Sequence, residues 1–153
     1  MRHLKAIAIF IYAFLTACAS GPQFTESRPP KEGAVAIYVY RPWTFAAGGA
    51  IPPVQLDNSA EGKLENGRYI RFETRPGNHR ISIPERFDYV MMLTWPNVNI
   101  NFPTEPNKIY YVRYSTVGDV KPGPYDTTTT VFRLAFHLVP EDIALKELLK
   151  KEE

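Results

Sequence analysis

The chain has few of the residues on which metal sites and catalytic sites depend. Its 153 residues include one cysteine and three histidines, of which His79 and His137 follow the N-terminal apolar segment. Neither histidine has a cysteine, a second histidine or a carboxylate at the spacing of metal ligands. A single cysteine has no disulfide partner within the chain, so a hydrophobic core must stabilise the fold. We therefore expect no metal and no cofactor, and a structural or solvent-exposed role for both histidines.

Several enzyme motifs are also missing. No Gly-x-Ser-x-Gly elbow is present, and Gly48-Gly49 lacks the Lys-Ser/Thr of a phosphate loop. Glu61, Glu65 and Glu73 lie near turns or on an outward face, where nothing pairs two of them across a cleft. No basic stripe suited to nucleic acid occurs. We expect a protein that is not an enzyme and binds neither nucleic acid nor a small-molecule substrate.

Long hydrophobic runs are absent as well. The one apolar stretch, residues 6–15, would reach only about 15 Å as a helix, half of a bilayer core of about 30 Å. It follows the basic residues Arg2 and Lys5 and ends in Leu15-Thr16-Ala17-Cys18. A basic start, a short apolar core and small residues at the end are typical of a secretory signal.

The cysteine at the end of this signal gives it the form of a bacterial lipoprotein signal. In that resemblance residues 1–17 are removed and Cys18 carries a covalent lipid. Several acyl chains together anchor a protein firmly. Ala19 takes the place of the Asp that favours retention in the inner membrane, so we expect an outer-membrane anchor facing the periplasm, with the inner membrane as the alternative. Without the signal, sixteen basic residues balance sixteen acidic ones.

The rest of the chain predicts an all-β fold. Nine tyrosines, nine phenylalanines and fourteen prolines favour strands separated by turns. We predict a small antiparallel β-sandwich of about seven strands over residues 33–139, with a short C-terminal helix within 140–153. Residues 18–32, with Gly21-Pro22 and Pro29-Pro30, indicate a flexible tether.

The strand pattern has some clear elements. Residues 34–40 are apolar on both faces and predict a central strand. The strands at 69–73 and 79–83, on either side of Pro76-Gly77-Asn78, predict a hairpin. Further strands are predicted at 87–95, 98–102, 109–114 and 131–139. Residues 117–130 predict a long polar loop, and residues 141–150 predict an amphipathic helix. The expected apolar stripe of that helix is Ile143, Leu145, Leu148 and Leu149.

The segment Val35-Ala36-Ile37-Tyr38-Val39-Tyr40-Arg41-Pro42 resembles the opening of the DUF2846 family of envelope lipoproteins. The order of motifs that follows is similar too: Pro52-Pro53-Val54, Leu56-Asp57, Gly62-Lys63-Leu64, Asn66-Gly67-Arg68-Tyr69, Pro76-Gly77-Asn78-His79 and Lys108-Ile109-Tyr110-Tyr111-Val112. The resemblance covers most of residues 33–114 and implies a lipid-anchored β-sandwich similar to PEGA-type modules. It implies no catalytic residue. Residues 117–131 match nothing in the family pattern, and the turn at 59–61 is slightly longer than the family's.

Aromatic residues in loops are the candidates for binding. Trp43 and Phe45 lie in a Gly- and Pro-flanked loop and could form a recognition patch with Arg41. Tyr125 is a second loop candidate. Since aromatic rings usually bury a large area, the sequence favours a Trp43 that folds back over the open end of the sandwich. We expect a lipid-anchored, non-catalytic module that binds another envelope protein; the alternative is a module that binds peptidoglycan or a polysaccharide.

Overall fold

The computed structural model describes residues 23–45, 48–89, 93–122 and 128–150. The predicted signal peptide, Cys18 and Tyr125 lie outside these residues. Within them the chain forms, in order, β1 (Val35–Tyr40), β2 (Pro53–Leu56), β3 (Ala60–Lys63), β4 (Tyr69–Thr74), β5 (Gly77–Ile83), β6 (Arg86–Asp88), β7 (Leu93–Trp95), β8 (Val98–Thr104), β9 (Ile109–Pro122), β10 (Thr128–Val139) and α1 (Glu141–Leu149).

The strands build two four-stranded sheets. Sheet A has the order β10-β9-β1-β4 and sheet B the order β3-β2-β5-β8, while β6 and β7 form a separate ribbon. The predicted all-β sandwich with a C-terminal helix is confirmed. Ten strands are described where about seven were expected, because β3, β6 and β7 are short pieces of three or four residues. The β1–β9 pair is parallel, so sheet A is not entirely antiparallel.

Strand β1 lies at the centre of the molecule, as its apolar sequence predicts. All six of its residues are buried, and it lies between β4 and β9. Because side chains alternate along a strand, β1 serves two cores. Val35, Ile37 and Val39 join side chains of sheet B in the main core. Ala36, Tyr38 and Tyr40 join a second core on the outer face of sheet A.

The outer face of sheet A is covered by α1 and by the segment before β1. Ala144 of α1 is fully buried there, and Leu145 and Leu148 pack beside it. Ile143 and Leu149, which were expected in the same stripe, are 42% and 53% exposed, so that part of the prediction is wrong. A helix lying on a flat sheet buries a narrower stripe than one inserted among other helices.

Residues 23–30, here called the strap, lie on the same outer face. Phe24 packs its ring edge-on against Tyr38 and Tyr69. The Arg28 amide donates a hydrogen bond to the Tyr38 hydroxyl at 2.7 Å. The Ser27 and Tyr111 hydroxyls are 2.5 Å apart. The described part of the predicted flexible tether is therefore held against the sheet.

The predicted hairpin between residues 69–73 and 79–83 is wrong. Strand β4 pairs with β1 in sheet A, whereas β5 pairs with β2 and β8 in sheet B. The inward residues were correctly predicted, since Ile70, Phe72, Ile81 and Ile83 all contribute to the main core. Alternation shows which side chains face the interior, but it does not show to which sheet a strand belongs, because the inner faces of both sheets contribute to one core. The turn at Arg75-Pro76 carries the chain from one sheet to the other.

Two further predictions need correction. Residues 117–130, expected as a loop, are mostly strand, because β9 continues to Pro122 and pairs with β10 from Thr128. The strand expected over residues 87–95 is instead a narrow ribbon, in which Phe87 of β6 lies opposite Thr94 of β7. Thr-rich and Val-containing sequence is compatible with strand even where proline and glycine lie nearby.

Candidate functional site

Three connections gather at one end of the sandwich, here called the loop end. Strands β1 and β5 end there and β4 and β8 begin there, since Tyr40 pairs with Tyr69 and Ile83 pairs with Val98. The β1–β2 loop and the β6–β7 ribbon both leave from this end. The distal halves of β9 and β10 extend beyond it, because the β1–β9 pairing stops at Tyr40 and Arg113. Loops on a rigid scaffold are common places for binding residues.

The base of the β1–β2 loop is fixed by hydrogen bonds to the β3–β4 connection. The Asn66 amide accepts a hydrogen bond from the Thr44 amide at 3.1 Å and donates one to the Thr44 carbonyl at 2.9 Å. The Arg41 amide donates to the Arg68 carbonyl at 3.0 Å. A side-chain amide can imitate a strand partner in this way, so the loop leaves the sandwich in a defined direction.

Arg41 lies beneath this loop. Its side chain is 3% exposed, and its Nη1 donates to the Ala50 carbonyl at 2.5 Å. Its guanidinium carbon lies 5.7 Å from the centre of the Tyr114 ring. Burial lowers the pKa of Arg41. The predicted recognition patch therefore does not include Arg41 as a surface residue; the side chain ties the two ends of the loop together.

Trp43 and Phe45 are exposed at the loop end. The Trp43 side chain is 52% exposed and Phe45 is 91% exposed. The expectation that Trp43 folds back over the sandwich is therefore wrong, because half of its surface stays in water. Aromatic rings that stay in water without a packing role are candidates for contact with a partner.

A groove of about 360 Å³ opens beside Trp43. Its walls come from the start of the β1–β2 loop, the middle of β9 and the last turns of α1; they are Arg41, Pro42, Trp43, Thr44, Arg113, Tyr114, Ser115, Thr116 and Glu147. The loop supplies the aromatic wall, and the helix supplies the acidic one.

An ion pair closes the helix side of the groove. The Arg113 guanidinium and the Glu147 carboxylate are 2.8 Å apart, and the Tyr40 hydroxyl donates to the same carboxylate at 2.5 Å. Burial and the neighbouring Glu147 raise the pKa of Tyr40 far above its ordinary value of 10.0. These groups hold one another in place, so the groove offers a half-buried pair of charges beside an exposed indole.

His79 sits in a separate, smaller cavity of about 230 Å³ on sheet B. The ring is 8% exposed, with Nδ1 2.7 Å from Asp57 Oδ2 and Nε2 2.7 Å from the Arg75 carbonyl oxygen. This is the structural role expected of it, although the carboxylate partner, 22 residues away, was not predicted. His137 is exposed and lies 3.1 Å from the Ser115 hydroxyl.

No cluster of three histidine, cysteine or acidic side chains capable of holding a metal ion occurs in the described part of the chain. Over the same residues, no helix has the length and apolar character needed to cross a membrane.

A second exposed aromatic pair was missed from the sequence. Phe87 and Tyr89 on the β6–β7 ribbon are 43% and 81% exposed, and their rings meet edge-on at 4.9 Å. Their apolar sequence predicted only a strand over residues 87–95. Pro84 and Pro96 flank this stretch. Because proline is confined to strand ends and edges, the two prolines were the signal that the stretch leaves the main sheet.

Comparison with known proteins gives a family. A search of curated proteins found no match. A family model described as a protein of unknown function (DUF2846) matches residues 31–123. This match spans every strand from β1 to β9, and hence the β1–β2 loop and most of the groove walls. The chain belongs to the DUF2846 family.

Proposed function

We propose that the protein is a lipid-anchored, non-catalytic binding module of the bacterial envelope, whose partner is another envelope protein. The anchor is Cys18, carried on the outer membrane and facing the periplasm. The proposal of an anchor is supported by the basic, apolar and small-residue pattern that precedes Cys18, and by Ala19 directly after it.

The observation that carries the binding role is the groove beside Trp43. An indole that is 52% exposed stands over an opening of about 360 Å³. Tryptophan, tyrosine and arginine dominate the binding energy of protein interfaces, most strongly where the partner displaces the water from the pocket that they line. A partner side chain entering this groove would meet the Trp43 ring on one side and the Arg113–Glu147 pair on the other.

The contacts of the groove's polar groups favour binding over catalysis. Arg113 and Glu147 neutralise each other at 2.8 Å, and Arg41 is held by the Ala50 carbonyl. A nucleophile or general base needs a neighbour that activates it and room for a reacting atom. The charged groups of this groove are instead committed to fixing its shape. The Ser115 hydroxyl lies 3.1 Å from His137 Nε2 but donates its proton to the Ala135 carbonyl.

In-cell photocrosslinking tests the proposal. A photoreactive phenylalanine analogue at Thr44, on the groove wall, is compared with the same analogue at Ser59, in the β2–β3 turn at the opposite end. We expect one discrete protein adduct from position 44, absent from position 59 and lost in Trp43→Ala. Cys18→Ser provides the unanchored form and should lose both the lipid and the adduct. Equal labelling from both positions would contradict a specific site.

Glycan binding is the second candidate, favoured by the exposure of Trp43 and Phe45 on one loop. Sugar rings stack on such aromatic faces, and nearby amides complete the recognition. The Asn66 amide, however, is already engaged with the Thr44 backbone. Co-sedimentation with peptidoglycan that is lost in Trp43→Ala, without any protein adduct, would select this function instead.

A further inference from the structure

The groove beside Trp43 lies along one edge of β9. Four consecutive residues of β9 line it: Arg113, Tyr114, Ser115 and Thr116. Side chains alternate between the two faces of a sheet, so an opening that meets four residues in a row runs beside the strand and not over one face. The opposite edge of β9 is occupied by β10, since residues 114–116 pair with 134–136. The groove therefore follows the edge of β9 that faces β1.

This edge of β9 loses its neighbour after Arg113. The pairing of β1 with β9 stops at Tyr40 and Arg113, whereas β10 continues beside β9 to Pro122. Pro42 cannot donate a hydrogen bond to a ladder, so β1 ends before it. No other strand in the described part of the chain takes the place that β1 leaves. The strip beside residues 114–122 of β9 that β1 does not fill is here called the open lane.

The backbone groups that face the open lane can be identified. At the start of β9, the Ala36 amide of β1 donates a hydrogen bond to the Lys108 carbonyl at 3.1 Å. Backbone groups of successive residues in a strand point to opposite sides, and the pairing of β9 with β10 has no break as far as Pro122. Even-numbered residues therefore present their amides and carbonyls to the open lane, whereas odd-numbered residues present theirs to β10.

We propose that the partner protein binds by adding an extended segment of its own chain to β9 in the open lane. This inference rests on the proposed function and names how that partner is held. An unpaired strand edge is a template for a further strand. Main-chain hydrogen bonds supply the affinity of such complexes, and pockets for alternate side chains supply the specificity. Trp43, on the wall of the groove, contacts a side chain of the added segment.

The β9–β10 ribbon favours an extended peptide as the occupant. Beyond Arg113 this part of sheet A has two strands, and a two-stranded ribbon alone is only marginally stable in water. An added segment makes the ribbon three-stranded and satisfies the row of backbone donors and acceptors along the open lane. The segment lacks internal proline and is rich in β-branched or aromatic residues, because these residue types suit a strand between two neighbours.

Hydrogen exchange resolved to single amides tests this proposal. The two samples are the purified lipidated full chain and the protein adduct captured by the photoreactive analogue at Thr44. In the free chain we expect the amides of Thr116 and Gly118 to exchange about tenfold faster than those of Ser115 and Val117, which bond to β10. In the adduct, the two even-numbered amides should become as slow as the odd-numbered ones. Equally fast exchange of the even-numbered amides in both samples would overturn strand addition and leave the binding role standing.

Substitution of Thr116 gives a second readout. Thr116→Pro removes an amide that faces the open lane, and proline is tolerated on an edge where its nitrogen does not face a paired strand. Thr116→Val changes the same side chain and keeps the amide. We expect the yield of the Thr44 adduct to be several-fold lower for Thr116→Pro than for Thr116→Val, with both variants unfolding cooperatively in urea. Equal yields from the two folded variants would refute strand addition.

The identity of the adduct separates this inference from the proposed function. If the parent chain yields no protein adduct at Thr44, both are overturned. If the adduct consists of two copies of this chain, the segment does not come from a partner protein and the inference is wrong. If Thr116→Pro does not fold, the exchange rates of the even-numbered amides decide the outcome.

Discussion

The carboxylate of Asp57 holds both the β2–β3 turn and the histidine beside it. Oδ1 accepts a hydrogen bond from the Arg80 amide at 2.8 Å, and Oδ2 lies 2.7 Å from His79 Nδ1. Asp57 and Asn58 have φ of +51° and +58°, the left-handed conformation of a type I′ turn. Among residues with a side chain, Asp and Asn adopt this conformation most readily. One residue thus sets the turn and joins β2 to β5.

Replacing Asp57 should destabilise the fold according to how many of these contacts the new side chain removes. We expect Asp57→Ala to lower the free energy of unfolding by about 2–3 kcal/mol, since two hydrogen bonds and a residue suited to positive φ are lost together. Asp57→Asn should cost less than half as much, because the amide tolerates the turn and still accepts a hydrogen bond from Arg80. Urea unfolding followed by tryptophan fluorescence measures both. Equal losses would mean that the His79 contact alone matters.

Gly62 of β3 is required for a different reason, which is space. A Cβ atom at this position would lie 2.9 Å from Ile70 Cδ1 and 3.0 Å from Ile70 Cγ2. Ile70 packs against the main core and cannot move freely, so we expect Gly62→Ala to cost about 1–3 kcal/mol of unfolding free energy. Gly49→Ala is the matched control, because no atom lies within 4 Å of its added Cβ. A change of similar size in both variants would refute the steric explanation.

Single residues differed in how far their environment could be predicted. The structural role of His79 followed from the absence of ligands nearby in sequence, but its partner Asp57 did not, because sheet pairing brings them together across 22 positions. Burial of Trp43 was favoured and is wrong, since an aromatic ring in a loop can be either packed or exposed and the sequence does not show which. Arg41 was predicted to belong to a surface patch but is buried. The sequence alone does not show that the loop covers it.

Among the elements, α1 depends on its last turns for its position over sheet A. Glu147 pairs with Arg113 and accepts a hydrogen bond from Tyr40. Its carboxylate is 28% exposed, so solvent weakens the pair without removing it. We expect Glu147→Ala to cost about 1–2 kcal/mol of unfolding free energy.

The matched control for this variant is Asp142→Ala in the first turn of α1. Asp142 is 72% exposed and lies 3.9 Å from Lys146, a surface pair that should contribute less than about 0.5 kcal/mol. Chemical denaturation of both variants gives the comparison. If the two substitutions cost the same, the Glu147 contacts do not anchor the helix.

Three buried tyrosines on the two faces of sheet A make the fold sensitive to alkali. Burial raises the pKa of Tyr40, Tyr111 and Tyr114 above the ordinary value of 10.0. Above about pH 10 the unfolded chain therefore releases protons that the folded chain keeps, and stability falls as pH rises. Below pH 10 both states are protonated and this contribution is fully present.

Substitution at Tyr40 isolates this effect. Each such group contributes a slope of up to about 1.4 kcal/mol per pH unit between its unfolded and folded pKa values. We expect the unfolding free energy of Tyr40→Phe to fall less steeply than that of the parent between pH 10 and 11.5. Tyr89→Phe, which removes a hydroxyl from a residue that is 81% exposed, is the matched control. A parent curve that is flat above pH 10 would contradict the prediction.

The sequence predicts the strands themselves better than their pairing. The one-sided pattern of β8 and the two-sided pattern of β1 both match the observed burial, because each depends only on local alternation. Membership of a sheet depends on distant neighbours, so the apparent β4–β5 hairpin is divided between two sheets. The β9–β10 extension was missed because the flanking prolines and glycine are typical of loops.

At the scale of the whole molecule, the described residues form three layers. Sheet B and sheet A enclose the main core, and α1 with the strap covers the outer face of sheet A. The position of the strap on this outer face depends on Phe24 and Ser27, which contact Tyr38, Tyr69 and Tyr111. Those contacts involve tertiary neighbours 14 to 84 positions away, which a short Pro-rich segment does not reveal.

Docking of the strap can be measured by its protection from proteolysis. The Phe24 ring meets Tyr38 and Tyr69 edge-on, with centroids 5.8 and 5.5 Å apart. Each aromatic contact contributes about 0.5–1.5 kcal/mol, so Phe24→Ala should raise the population of the released strap roughly tenfold. We expect a glutamate-specific protease to cut after Glu26 several-fold faster in this variant, with the sandwich itself intact. Gln23→Ala, which alters an exposed side chain next to Phe24, should not change the rate. Equal cleavage of parent and Phe24→Ala would show that the strap is not held by this ring.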